Sequence, residues 1–403
     1  MYTKMEARVL VVVLAAVFSV SAQTDVGEKR NIRLIDRIKS QGYPAELHQV
    51  TTNDGYVLSL HRIPHGRDAS PGPRPVVFVM HGLMSASSHF VYLGPEYAIA
   101  YNLADAGYDV WMGNQRGNIY SRQHVSLNPN DSKEKLEFFD YSWEDVGTID
   151  LPAMIDYALA FTGQEKLHYI GHSQGGTVFL VLASMNPEYS NKKIASAHLL
   201  AGVGYMENFP FAPLRRLSEF GSILYTLGNR LGIVEISFDA LRRPEAQQTI
   251  EQNGLVDYCA GDEEYKAFCE TIGVPYLMGD RLSLADIPDM GGSSLKQLAH
   301  FAQNIKDGLF RRWDYGPLTN LRVYRTLTPP SFDLSKITVD VTMHYSLRDI
   351  LVHETDVLAM AAVMPNTKVR KIERDTFRHE EYIFAKDSKE LVNDYIIEAL
   401  NQF

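Results

Sequence analysis

The sequence predicts an α/β fold with a mostly parallel sheet and helices on both faces. Three observations predict it. Short, continuous apolar runs alternate with helix-patterned stretches through the first half of the chain. A glycine-flanked turn at 171–175 joins one such run to a helix. The alternation breaks off near Gly204 and resumes near Val339, so one sheet is interrupted by an insert.

The elements follow in order. A short helical run covers Ile35 to Ser40. Leu47 to Thr52 and Tyr56 to Ile63 read as strands joined by Asn53-Asp54-Gly55, a hairpin turn in composition. Pro75 to Met80 is apolar without alternation, as a strand buried on both faces must be, and it ends at His81-Gly82-Leu83. A helical stretch, Tyr97 to Ala106, leads through Gly107 to a second buried strand, Tyr108 to Met112. Another helix spans about 149–161, and a third buried strand, Leu167 to Ile170, enters Gly171-His172-Ser173-Gln174-Gly175. The next helix is expected to begin near Gly176, followed by a strand from Ile194 to Val203. From 204 to 313 the pattern is mostly helical and aromatic. Strands Val339 to His344 and Lys368 to Ile372 and a closing helix, Ser388 to Leu400, complete the sheet. The expected organisation is a leader at 1–22, core at 23–203, helical insert at 204–313 and core again at 314–403.

Composition limits the function classes. The 403 residues are 45% hydrophobic and 22% charged, an ordinary globular balance. The formal charge is −10, and there is no basic cluster to hold nucleic acid. Two cysteines exclude a disulfide-dense scaffold, and there is no metal-ligand cluster or dinucleotide fingerprint, so no cofactor is implied. Lys4 and Arg8 precede an apolar stretch, Val9 to Val20, and Val20-Ser21-Ala22 offers a cleavage site. This is the pattern of a secretory signal, shorter than the roughly 20 apolar residues a spanning helix needs. Cleavage leaves Gln23 as first residue and a charge of −11, because Lys4, Arg8 and Glu6 depart. Asn130-Asp131-Ser132 is a glycosylation sequon.

The turn at 171–175 matches G-x-S-x-G, in which a sharp strand-to-helix turn lifts a serine hydroxyl above the sheet. Side chains at the flanking positions would meet backbone, so glycine stands there. A serine nucleophile needs a base and an anion to orient that base, in the chain order Ser, Asp or Glu, His. Asp349 follows the strand ending near Tyr345, whereas Asp340 begins that strand at the wrong end of the sheet. His379 follows the last strand, and no histidine comes after it. Ser173, Asp349 and His379 are therefore the expected nucleophile, orienting acid and base, and most other histidines, His168 and His172 among them, read as structural. The oxyanion needs two donors. The Gln174 N–H follows the nucleophile, and the Leu83 N–H lies in the loop after the first parallel strand.

Several stretches in one order resemble a known family: Gly42-Tyr43-Pro44, Thr51 to Tyr56, Arg62 to Gly66, His81-Gly82-Leu83, Asp105 to Trp111, Asp150-Leu151-Pro152-Ala153 and Gly171 to Gly175. Over about residues 32–400 the chain resembles the acid lipases of the gastric and lysosomal type, most of all the insect members called lipase 3. The resemblance implies the α/β-hydrolase fold, hydrolysis of triacylglycerol or sterol esters at a lipid–water interface, and the family's triad and oxyanion donors on Ser173, Asp349, His379, Leu83 and Gln174. It also implies that the insert caps the serine. Leu214, Leu217, Leu224, Leu227 and Leu231 recur there at helical spacing, which reads as a helix face packed inward. Cys259 and Cys269 lie in the same insert and, in a secreted protein, suggest one disulfide.

Three stretches depart from the family. Gly113-Asn114-Gln115-Arg116-Gly117 has Gln115 where the family has serine, Leu351-Val352-His353-Glu354 replaces L-A-D-P, and Arg378 replaces an asparagine. The expectation is a secreted neutral-lipid esterase. The alternatives are a lysosomal location, a short-chain esterase or thioesterase with the same triad, and a catalytically silent lipid carrier. If all 13 histidines protonated near pH 5, the charge would move from −11 to +2. That argues for stronger adsorption to anionic lipid, and for an optimum below neutrality on anionic emulsions.

Overall fold

The computed structural model describes residues 26–237 and 290–403. The sheet contains β1 (Glu46–Thr51), β2 (Tyr56–Ile63), β3 (Val76–Met80), β4 (Asp109–Gly113), β5 (Gln123–His124), β6 (Leu167–His172) and β7 (Ile194–Leu200). A short pair, β8 (Glu235–Ile236) and β9 (Ser293–Ser294), stands apart, and β10 (Asp340–Tyr345) and β11 (Thr367–Lys371) complete the main sheet. Its order is β1-β2-β4-β3-β6-β7-β10-β11, with β5 paired to β2. The pairs from β4 to β11 are parallel, and β1 and β2 join antiparallel at one end. This is the α/β-hydrolase fold, with helices on both faces of the sheet.

The buried strands form where the unbroken apolar runs stand. Every residue of β3, β4 and β6 is buried, whereas β11, at the edge, has only partly buried and exposed positions. Phe78 on β3 stacks on Tyr169 of β6 at 6.2 Å, and Tyr169 stacks in turn on Phe179 of the helix Gln174–Met185 at 5.2 Å. The helix Leu151–Thr162 carries proline in its first turn and ends at Gly163, whose φ of 69° is the left-handed cap that glycine adopts without penalty.

The strand order positions the site. The chain runs from β3 outward to β4, then returns across β3 to β6 on its other side. Such a reversal opens a crevice at the carboxyl ends of the two adjacent strands. The loops that leave β3 and β6 there are His81-Gly82-Leu83 and the turn at Ser173.

Element existence and order agree with the sequence pattern, and several boundaries move. The first helix starts at Val26, nine residues before the expected start. The helix after the elbow begins at Gln174, not Gly176. β7 ends at Leu200, because Ala201, at φ 48°, turns the chain away while its N–H is held by the His344 carbonyl at 3.0 Å. A π turn, Val146–Asp150, precedes the helix Leu151–Thr162.

The described parts of the insert contain the helices Ala212–Ser218, Gly221–Leu231 and Leu295–Asp307, with the β8–β9 pair between them. The leucine stripe faces inward only in part: Leu214, Leu217 and Leu224 are partly buried, Leu214 against the core. Leu227 and Leu231 are half exposed, as are Phe220 and Ile223. The helix instead approaches Leu295–Asp307 through glycines: a Cβ on Gly221 would stand 2.7 Å from that of Ala302, and one on Gly228 would stand 2.3 Å from Leu295 Cδ2. Small residues bring the helices close there and leave the large ones outside. The leader at 1–22 and both cysteines, Cys259 and Cys269, lie outside the described residues.

Candidate active site

Ser173 stands between β6 and the helix Gln174–Met185 with φ 54° and ψ −117°, a conformation that a residue with a side chain adopts only under constraint. The constraint is visible on each side. The Ser173 N–H donates to the Leu200 carbonyl at 2.9 Å, and the Ser173 carbonyl accepts from Gly176 N–H at 2.8 Å. A Cβ on Gly171 would lie 2.5 Å from the Gly175 carbonyl carbon, and one on Gly175 would lie 2.2 Å from the Met80 carbonyl oxygen. The turn closes only because those two positions carry no side chain.

The loop after β3 closes on the same residue. A Cβ on Gly82 would stand 2.9 Å from Ser173 Cβ, so Gly82 packs directly against the serine. His81 fixes the Gly82-Leu83 peptide: its Nδ1 bonds the Gly82 carbonyl at 2.8 Å, while Nε2 faces the Gln115 N–H at 3.4 Å and Asn118 Nδ2 at 3.3 Å. Burial pushes the His81 pKa down to about 4, so the ring is neutral, with Nδ1 as donor and Nε2 as acceptor.

Asp349 and His379 meet. His379 Nδ1 bonds Asp349 Oδ2 at 2.8 Å, both side chains being buried. The other carboxylate oxygen accepts from the N–H groups of Leu351 and Val352 at 2.8 and 2.9 Å, which fixes the carboxylate in the turn after β10. With Nδ1 committed to Asp349, Nε2 of His379 is the basic atom. His172 holds the loop of His379 against the elbow, its Nε2 donating to the His379 carbonyl at 2.9 Å. That histidine is neutral, because burial pushes its pKa down to about 3, and the neighbouring His379 acts in the same sense.

Burial alone would lower the His379 pKa, but the Asp349 charge and hydrogen bond outweigh it and raise the value above that of a free histidine. A base that stays neutral at low pH would need a lowered pKa, and this pair moves His379 the other way. The charge expectation is also corrected. Burial holds His61, His172, His198 and His300 at about 3, His81 and His168 at about 4, and His344 well below the ordinary value. Seven of the 13 histidines thus stay neutral at pH 5, so histidine protonation moves the net charge by at most +6 rather than +13.

The remaining motifs converge on one buried guanidinium. Arg116 pairs with Asp150 at 2.6 Å and with Asp54 at 2.7 Å, and lies 4.1 Å over the Tyr56 ring. Thr51-to-Tyr56, Gly113-to-Gly117 and Asp150-Leu151-Pro152 are thus one ion cluster that fastens the β1–β2 hairpin to the β4 loop. Sequence reading missed this cluster, as well as His172, His81 and Gln297 as partners of the site. An arginine between two glycines, with aspartates in two other motifs, was the available signal. Asn130 is half buried, with its side-chain carbonyl accepting from Arg122 at 2.7 Å. Among the described residues no group of His, Cys, Asp and Glu could hold a metal ion, and no helix is long and apolar enough to cross a membrane.

Known proteins match the chain over nearly all of its length. The chain is 36% identical to Lipase 3 of Drosophila melanogaster over 91% of this chain and 92% of that protein. It is 33% identical to the gastric triacylglycerol lipase of Rattus norvegicus, over 91% of each. The chain belongs to the animal lipase family that contains these two proteins. A partial alpha/beta-hydrolase lipase region matches residues 34–94, and the alpha/beta hydrolase fold family matches 75–245. A solved structure from Sulfolobus solfataricus, 18% identical and covering 89% of this chain and 99% of its own, shares the fold at a TM-score of 0.50. The protein is thus a hydrolase of the lipase and esterase type.

Proposed function

We propose that this protein is a secreted lipase that hydrolyses the carboxylic ester bonds of neutral lipids, triacylglycerols or sterol esters, through a Ser173-His379-Asp349 triad and an acyl-enzyme. The observation that carries the reading is a strained elbow serine at the sheet's switch point, with a buried histidine–aspartate pair at 2.8 Å docked beside it. Ser173 Oγ attacks the ester carbonyl carbon as His379 Nε2 takes its proton. The carbonyl oxygen becomes an oxyanion held by the Leu83 and Gln174 N–H groups, the latter at the N-terminus of a helix that favours negative charge. His379 then protonates the departing alkoxide, and the acyl group remains on Ser173. Water, deprotonated by His379, attacks the acyl carbon; the acyl–Oγ bond then breaks, His379 returns the proton to Ser173 Oγ, and the fatty acid leaves. Asp349 stays ionised throughout and stabilises the imidazolium.

Kinship with lipases, one of them a triacylglycerol lipase, supports the fatty-ester substrate. The insert from 204 to 313 is the cap over the serine, with Cys259 joined to Cys269 in it; residues 1–22 are the secretory leader and Asn130 carries a glycan. The test is turnover of emulsified triolein, emulsified cholesteryl oleate and a soluble butyrate ester by the secreted protein and its Ser173→Ala variant. The reading expects long-chain turnover that the variant lacks. Turnover of the soluble ester alone would make the protein a short-chain esterase, and binding without turnover a carrier.

A further inference from the structure

We propose that Gln115 is a positioning residue that ties the two oxyanion donors, the Leu83 and Gln174 N–H groups, into one frame. The proposal rests on the triad reading above and adds a residue to it. Gln115 stands in the loop after β4, at the place where the family resemblance has serine, and it is fully buried. Two separate bonds leave it. Its backbone N–H faces His81 Nε2 at 3.4 Å, and the opposite nitrogen of that ring donates to the Gly82 carbonyl at 2.8 Å. The Gly82 carbonyl and the Leu83 N–H belong to one planar peptide unit, so whatever fixes the carbonyl fixes the direction of the N–H. Its side-chain carbonyl accepts from Gln174 Nε2 at 2.7 Å, and Gln174 carries the second donor on its own backbone.

The frame extends to the roof. Gln174 Nε2 also donates to Gln297 Oε1 at 2.7 Å, and Gln297 Nε2 donates to Ser293 Oγ at 2.8 Å. Gln297 lies in the first turn of the helix Leu295–Asp307, so the elbow residue is held from the core side by Gln115 and from the insert side by Gln297. A serine at 115 would keep the backbone bond to His81, but its hydroxyl is two bonds too short to meet Gln174 Nε2. This chain thus links by a side chain two donors that serine would leave to separate loops. Oxyanion stabilisation depends on donors aimed beforehand at the place where charge develops, so a misaimed pair lowers turnover without weakening ground-state binding.

The test uses the full secreted protein with soluble p-nitrophenyl butyrate, and butylboronic acid as a probe whose serine adduct places an oxygen in the oxyanion position. Gln115→Met keeps the length and removes the acceptor. It is expected to lower kcat about tenfold or more with KM within twofold, a fraction of the roughly 10²–10³ that loss of a whole donor costs. Boronate inhibition should weaken by the same factor. Gln174→Met should give a similar loss, and the double variant no more than the larger single one. Should Gln115→Met fail to fold, Gln115→Ser carries the same expectation. An unchanged kcat, a kcat loss without a boronate loss, or losses that multiply in the double variant would each overturn the assignment. Turnover surviving in Ser173→Ala would instead sink the triad reading on which it stands.

Discussion

Acidification should unfold this protein through its buried histidines. Each of His61, His172, His198 and His300 is neutral in the fold with a pKa near 3, against 6.5 for an unperturbed histidine. His81 and His168 lie near 4. A lowered folded value means that the unfolded chain binds the proton first, so stability is full above about pH 6.5 and falls as pH drops toward the folded values. At pH 5 each such histidine costs about 2 kcal/mol, taking 1.36 kcal/mol per pKa unit. The six together cost on the order of 10 kcal/mol, which is comparable with the whole stability of a typical domain. His379 works against them, because its raised pKa makes the fold take up a proton first, but it is one group. Urea unfolding at pH 7, 6 and 5 should therefore show a midpoint that falls steeply. His61→Gln should lose stability at pH 7 yet flatten the slope by about 1.4 kcal/mol per pH unit between pH 4 and 6. A midpoint that holds or rises from pH 7 to 5, or a His61→Gln slope equal to wild type, would refute the reasoning.

Other outcomes follow from the same geometry. His379→Ala should lower ester turnover about 10⁴–10⁶-fold while the circular dichroism spectrum stays native, and Asp349→Asn should also be severe; a few per cent residual turnover in either would contradict the role assigned. The acid limb of kcat/KM on a soluble ester should titrate above 6.5, since the base must be neutral and Asp349 raises its pKa; a limb below 6 would mean that another effect governs the base. Arg116→Met leaves Asp150 buried beside a neutral side chain and should cost about 3–5 kcal/mol in urea unfolding, whereas a cost under 1 kcal/mol would show that the ion cluster does not fasten the hairpin.

What the sequence carried was set by the kind of signal. Strands buried on both faces have no alternation to misread, so β3, β4 and β6 were legible to within two residues. The elbow was legible because its glycines answer a steric demand, seen at 2.2 Å between a Gly175 Cβ and the Met80 oxygen. Chain order and strand position alone pick out Asp349 and His379 as candidates, and the two stand in contact. Orientation was not legible. A leucine spacing of a helix turn says that residues share a face, not that the face points inward, and Gly221 and Gly228 decided the matter on the helix Gly221–Leu231. Protonation was not legible either, because counting histidines ignores burial, and burial withdraws seven of them from titration. Partners across loops, such as Gln115 with Gln174 and Gln297, leave no local pattern.

The central claim, that Ser173 is a nucleophile activated by the His379–Asp349 pair, is tested most directly by covalent capture. The folded protein is treated with a fluorophosphonate at neutral pH and its peptides are mapped by mass spectrometry. The account predicts one stoichiometric adduct on Ser173, absent after denaturation and slowed by orders of magnitude in His379→Ala. No adduct on Ser173, or labelling of that serine at the same rate without His379, would contradict it.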